Sequence, residues 1–273
     1  MRCAVAGNEI YAYTGARPLD AALPTIVFVH GAAHDHSVWA LQSRYFAHHG
    51  WNVLAVDLPG HGRSGGDALR SVDAIAEWIP SLQDAVGLRV AALVGHSLGS
   101  LAALECAARH PGRAIKLALI GPAAPMTVAD ALLDAAKRDD HVAYELITGW
   151  SYSGGKQLGG SSTPGVWLTG NAMRLMERAR PGVLHADLAA CHAYAGGIDA
   201  AARVRCPALV ILGARDIMAP PMNAAGIIEA LPDSRVVNLP DCGHAMMAEQ
   251  PDAVLDALRA FLQRKLADDD GRA

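Results

Sequence analysis

Along this chain, continuous apolar runs of about five residues alternate with longer stretches in which apolar positions recur every three to four residues. The first pattern marks strands covered on both faces, and the second marks helices with one buried stripe. Short β-rich runs at 3–5 and 9–14 flank Gly7-Asn8, a turn-forming pair, and predict an opening hairpin. Buried strands are predicted at 25–29, 52–56, 90–94 and 116–120, with helices at 39–49, 72–86 and 98–109 between them. The last of these helices should stop at His110-Pro111-Gly112, because the residue before a proline is pushed out of the helical region. Strand and helix in alternation predict a parallel sheet with helices on both faces.

The alternation ends after Gly121-Pro122. From 123 to 202 the pattern is helical or loop-like only, with helices expected at 128–138, 142–148, 172–178 and 183–193, and Thr127 with Asp130 reads as a capping box for the first. The stretch 149–165 is so rich in glycine that a loop without a single cheap conformation is expected. Strands resume at 208–212 and 234–238, an amphipathic helix closes the fold at 251–265, and 268–273 reads as a frayed tail. The expected architecture is therefore an α/β fold with a mostly parallel eight-stranded sheet. Residues 1–122 and 203–273 would form its core, and 123–202 a helical cap inserted after the sixth strand.

Composition narrows the partners. With 273 residues and 52% apolar positions, the chain can bury one large core. Lys and Arg number 23 against 27 Asp and Glu, and no basic block or aromatic-basic interleaving suits a phosphate backbone, so nucleic acid is not an expected partner. The first residues lack the apolar centre of a secretory signal and no later stretch has the length of a membrane span, which reads as a soluble, cytoplasmic protein without a membrane partner. Five cysteines, Cys3, Cys106, Cys191, Cys206 and Cys242, have no metal-type spacing and an odd count, against a disulfide framework. Cys106 is expected in the core and Cys242 as a bystander thiol. The sequence assigns no oligomeric state.

The chemistry centres on Gly95-His96-Ser97-Leu98-Gly99, which follows an apolar run and opens an alanine-rich helix. A strand turning at once into a helix strains the central residue and projects its hydroxyl from the sheet edge, and the two glycines leave room for the turn. A serine hydroxyl is a poor nucleophile at neutral pH, so Ser97 needs a base, and the base needs an orienting acid. Asp216 follows the strand 208–212 through Gly213-Ala214-Arg215, and His244 follows the strand 234–238 in Leu239-Pro240-Asp241-Cys242-Gly243-His244. Asp241, three residues from His244, is a rival acid, although proximity in sequence is not orientation in space.

These residues, together with His30-Gly31 and Asp57-Leu58-Pro59-Gly60-His61-Gly62-Arg63-Ser64, give the chain a resemblance to the α/β-hydrolase superfamily in its capped, esterase-like branch. The resemblance covers nearly the whole chain except the cap. It implies Ser97 as nucleophile, His244 as base and then acid, and Asp216 as the group holding the imidazole. It also implies oxyanion donors at the backbone N–H of Leu98 and of Ala32, with Ala33 open as the second, and makes His30 a structural hydrogen-bonder beneath the loop. The family's other site for the acid, after the preceding strand, is Gly121-Pro122-Ala123-Ala124-Pro125 here and contains none.

Other residues carry weaker signals. Asp57 and His61-Gly62-Arg63-Ser64 read as turn stabilisers. His30, His34 and His36 around Asp35 lack the remaining ligands of common zinc motifs, so neither metal nor other cofactor is expected. His34 and Trp150 are the leading pocket candidates, while Tyr152, Trp167, Met173 and Met176 could serve the pocket or the core of the cap. The leading function is a serine hydrolase that cleaves a small to medium carboxylic ester through an acyl-enzyme on Ser97. A carbon–carbon bond hydrolase, a perhydrolase or a cofactor-free oxygenase using His244 and Asp216 as a dyad remains open, as does a ligand-binding receptor that retains the triad.

Overall fold

The computed structural model describes residues 1–161 and 165–263. Eight strands form one sheet in the order β1-β2-β4-β3-β5-β6-β7-β8. They are β1 (Arg2–Val5), β2 (Asn8–Tyr13), β3 (Thr25–Val29), β4 (Asn52–Val56), β5 (Ala91–His96), β6 (Ala114–Ile120), β7 (Ala208–Gly213) and β8 (Ser234–Leu239). The β1–β2 hairpin turns through Ala6-Gly7 and joins β4 antiparallel, whereas every pairing from β4 to β8 is parallel.

Strand alternation explains why the predicted runs were continuous. Val27, Val29, Leu93, Leu117 and Leu119 face one hydrophobic cluster, while Ile26, Phe28, Val94, Ala118 and Ile120 face another on the opposite side of the sheet. Between the strands run α1 (Ala40–Ala47), α2 (Val72–Ala85) and α3 (Leu98–Arg109). Helix α1 follows a 3₁₀ turn at His36–Trp39, where Asp35 accepts a cap hydrogen bond from Ser37 N–H, so the single helix expected at 39–49 is two elements. Helix α3 has the predicted bounds and is buried along its length, being enclosed by the sheet, α2 and later helices.

Among the described residues, six helices separate β6 from β7: α4 (Asp130–Lys137), α5 (Val142–Ser151), α6 (Gly154–Gln157), α7 (Leu168–Met176), α8 (Val183–Ala193) and α9 (Gly197–Arg203). Helix α8 packs on α4 and α3, and α9 packs on α3. Part of the glycine-rich stretch is helical, and Gln157 Nε2 ties it down by donating to the carbonyls of Gly149 and Tyr152, each at 2.7 Å. The Thr127–Asp130 capping box is not formed: α4 starts at Asp130 with Ala129 as its N-cap and no side-chain cap, because residues 126–129 instead pass along the cavity described below. The remaining α-helices among the described residues are α10 (Ala225–Ala230), α11 (Met246–Glu249) and α12 (Pro251–Leu262), with α12 packed on α1. The tail expected at 268–273 lies outside the described residues, and no helix among them is long and apolar enough to cross a membrane.

Strand order has one consequence for the site. From β3 the chain crosses first to β4 on one side and then to β5 on the other, so the loops leaving β3 and β5 diverge and open a crevice at the carboxyl edge of the sheet. Val29 and Gly95 are level in the register, as are His96 with Ile120 and Ile120 with Ile211, which brings the ends of β3, β5, β6 and β7 to that edge together.

Candidate active site

Ser97 occupies the turn between β5 and α3 with φ 53° and ψ −120°, a left-handed backbone that an L-residue resists. The turn is held on both sides: Ser97 N–H donates to Ile120 O at 2.9 Å, and Ser97 O accepts from Ser100 N–H at 2.8 Å. Close approach explains the flanking glycines. A Cβ on Gly95 would lie 2.1 Å from Gly99 O, and one on Gly99 would lie 2.3 Å from Val29 O. In the otherwise buried run 91–108, Ser97 alone is half-buried, because the turn lifts it out of the core into a cavity of about 300 Å³.

His244 lines the same cavity. Its Nδ1 lies 2.7 Å from Asp216 Oδ2, while Asp216 Oδ1 accepts from the N–H groups of Met218 and Ala219 at 2.9 and 2.8 Å. A carboxylate only accepts, so Nδ1 carries the proton and Nε2 is left as the basic nitrogen. The rival acid, Asp241, is exposed and pairs with Arg215 at 2.8 Å. Gly121 follows β6 with φ 60°, and a Cβ there would meet the His244 ring at 3.1 Å.

The loop after β3 supplies Gly31, Ala32 and His34 to the cavity wall. Ala33 N–H donates to Asp187 Oδ2 at 2.8 Å, so of the two alanines left open by the sequence only Ala32 presents an uncommitted N–H. Leu98 N–H is the first of α3, one of the donors that helix geometry leaves without an internal acceptor. Beneath the loop, His30 Nδ1–H donates to Gly31 O and Nε2 accepts from Leu58 N–H, and burial, reinforced by His61 nearby, holds this neutral imidazole down at about 3. Burial likewise holds His34 low and His96 well below the ordinary range, the latter aided by His244.

Trp150, Tyr152 and Met176 line the cavity with His34, whereas Trp167 and Met173 face a separate surface depression. Among the described residues lining the cavity there is no Lys, Arg, Asp or Glu. Asp35, His36 and Asp57 bring ligand-type atoms within 4.8 Å of one another, but these serve the turn: Asp57 accepts from the N–H groups of His36 and Arg63, and Asp35 from Ser37. The five cysteines are free, and burial pushes Cys106 and Cys242 up to about 12, far from thiolate chemistry.

Two carboxylates at the site were missed in the sequence. Asp187 on α8 binds Ala33 N–H and also His61 Nε2 at 2.8 Å, so His61 does more than stabilise its own turn. Glu249 at the end of α11 accepts from Gly243 N–H at 2.8 Å and from Ser153 Oγ at 2.5 Å. Each is the one acid of its helix, in HADLAA and MMAEQP, and that isolation was the available signal.

Residues 26–257 match the profile of the alpha/beta hydrolase family. The chain is 31% identical over 248 residues to a pimeloyl-[acyl-carrier protein] methyl ester esterase from Aromatoleum aromaticum, covering 84% of this chain and 94% of the relative. It is 26% identical over 258 residues to a non-heme chloroperoxidase from Streptomyces lividans, covering 87% of this chain and 91% of that protein. Among solved structures, the enol-lactonase from Burkholderia xenovorans LB400 superposes with a TM-score of 0.85 at 23% identity, over 97% of this chain and 100% of the other.

Proposed function

The chain belongs to the alpha/beta hydrolase family and is a carboxylic ester hydrolase, and we propose that it works through an acyl-enzyme formed on Ser97. The observation that carries this reading is the His244 Nδ1–Asp216 Oδ2 hydrogen bond of 2.7 Å beside a strained serine in the same cavity. Ser97 Oγ attacks the ester carbonyl carbon as its proton passes to His244 Nε2, and Asp216 stabilises the imidazolium that results. The carbonyl oxygen, now an anion, is met by the N–H groups of Ala32 and Leu98, each worth about 3 kcal/mol of barrier. Collapse breaks the bond to the alkoxy oxygen, which takes the proton from His244 and leaves as the alcohol. Water then loses a proton to His244 and attacks the acyl carbon; the second collapse returns that proton to Ser97 Oγ and frees the acid.

The helices of 123–202 form the lid of this site, over a core of 1–122 and 203–273: Val128, Ile147, Tyr152, Met176 and Leu188 supply apolar wall to the cavity. A cavity of this size without charged side chains favours esters with short to medium, uncharged, apolar groups, since an ionised tail would lose its hydration without gaining a partner. Ser97→Ala should lower turnover of a chromogenic short-chain ester at least about 10⁴-fold and abolish labelling by a fluorophosphonate. Ester turnover close to that of the parent, or oxygen uptake that survives the substitution, would replace this reading with the oxygenase one. Labelling without repeated turnover would replace it with the receptor one.

A further inference from the structure

Asp187 is the only acid of α8 and is buried. One of its oxygens, Oδ2, accepts from Ala33 N–H and faces His61 Nε2, both at 2.8 Å, and both partners lie in the core, in the loops after β3 and β4. The His61 ring is also committed at its other nitrogen, Nδ1, which lies 3.0 Å from Pro59 O. A carbonyl oxygen can only accept, so Nδ1 carries a proton, and a second proton on Nε2 makes the pair an imidazolium facing a carboxylate. The other carboxylate oxygen, Oδ1, is buried with no partner among the described residues.

That arrangement is an inefficient way to stabilise a fold. Buried ion pairs are often replaceable by apolar residues at no loss, and an orphaned carboxylate oxygen adds cost. What the carboxylate does hold is one peptide plane. Its N–H end, at Ala33, is bound by Asp187, and its carbonyl end, at Ala32, lies 2.6 Å from His34 Nδ1. Ala33 itself has φ 53°, a conformation a residue with a Cβ leaves unless it is held. The adjoining N–H, that of Ala32, is the oxyanion donor of the mechanism above.

We propose that Asp187 is a positioning residue for the oxyanion site: from the lid it clamps the 32–33 peptide, so that Ala32 N–H stays aimed at the reacting oxygen only while α8 is seated on the core. The oxyanion site is thus assembled by the lid. The inference rests on the acyl-enzyme reading for its catalytic consequence, and its structural half stands apart from that reading.

The test uses the full chain with Asp187→Ala, which leaves Ala33 N–H without its acceptor, and the double variant Asp187→Leu/His61→Leu, which removes both charges together and leaves no unpaired ion in the core. Three readouts are compared with the parent: kcat and KM for a short-chain ester, affinity for a trifluoromethyl ketone analogue of that ester, and hydrogen exchange at the amides of residues 32–34. In both variants kcat should fall 10- to 100-fold with KM changed less than about threefold, and ketone affinity should fall in parallel, because the adduct of the ketone carries the same oxyanion. Exchange at Ala33 should rise at least tenfold. A double variant that melts with the parent and keeps its kcat, ketone affinity and exchange overturns the proposal. Should the double variant not fold, Asp187→Ala decides by the same three measurements. If ester turnover of the parent proves independent of Ser97, the acyl-enzyme reading fails, while unchanged exchange in Asp187→Ala is the separate result that removes the clamp.

Discussion

The two flanks of the cavity are both tied to the segment between β6 and β7 through a buried carboxylate, but in opposite senses. On the flank of Ala32 the acid sits on α8 and reaches the loops after β3 and β4, where Asp187 accepts from Ala33 N–H and faces His61. On the flank of His244 the acid, Glu249, sits at the end of α11 and reaches across to the Ser153 hydroxyl before α6, while also gathering Gly243 N–H. Asp187 meets a titratable partner that can carry positive charge; Glu249 has only neutral donors. Its acidity shows the difference, since burial pushes the Glu249 carboxyl up and the hydrogen bonds from Ser153 and Gly243 offset that only in part. One tether is therefore balanced in charge and the other is a hydrogen-bond hub that needs no charge at all.

The sharpest way to break the comparison is at Glu249. Glu249→Ala leaves Gly243 N–H and Ser153 Oγ unpaired in a buried place and should destabilise the protein by about 2–4 kcal/mol in urea unfolding. Glu249→Gln keeps a carbonyl oxygen for Gly243 N–H and offers its NH2 to Ser153 Oγ, a hydroxyl that can accept as well as donate, and should cost under about 1 kcal/mol at neutral pH. The sign of its pH dependence follows from the raised acidity constant. The folded state binds the proton more tightly, so the parent loses stability as pH rises from about the ordinary carboxyl value toward the raised one, and Gln does not. The Gln variant should thus compare better with the parent at pH 7 than at pH 4. Equal differences at both would make the two flanks alike.

Histidines sharpen the contrast at a smaller scale. Burial works against the charge on His61, but the carboxylate of Asp187 and its hydrogen bond outweigh it, with help from Pro59 O and Asp57, so its value is raised. The stabilisation is complete below about pH 6.5 and is lost as pH climbs through the raised value, so the deficit of His61→Gln should be larger at pH 6 than at pH 9. His30, whose ring centroid lies 4.9 Å from that of His61, runs the other way. Held near 3 by burial, it stays neutral while the unfolded chain takes up a proton, which removes up to about 1.4 kcal/mol per pH unit below 6.5. Urea midpoints should accordingly fall less steeply between pH 6.5 and 4.5 in His30→Asn than in the parent.

The smallest effect is expected at the acid nearest His244 in sequence. Asp241→Asn breaks an exposed pair with Arg215 and should change stability by under about 1 kcal/mol and ester turnover not at all. A large loss of turnover would shift the orienting role away from Asp216.

How much of this was legible in the sequence follows from the range over which each feature is specified. The runs at 25–29, 52–56 and 208–212 announce strands because both faces of the sheet are covered, and the bounds of α3 were readable because Ser97 and Pro111 bracket it. Ser97, Asp216 and His244 were each placed by the end of a strand. Asp187 and Glu249 were not, because their partners are distant: Ala33 lies 154 residues from Asp187, and Ser153 lies 96 from Glu249. No periodicity records such a pairing. The Thr127–Asp130 box failed for a similar reason, as packing along the cavity overrode a local cap worth about 1 kcal/mol.

The uncharged cavity wall has a last consequence, for the end of the cycle. Hydrolysis turns a neutral ester into an acid that ionises at neutral pH, so the site creates at its own centre a species for which its lining carries no lysine or arginine. Apart from two peptide N–H groups and a histidine that must regain its basic form, nothing in the chamber rewards the anion for staying, and bulk water does. On the proposed reading, the lack of charge that suits the chamber to a neutral ester is the same lack that favours release of the acid.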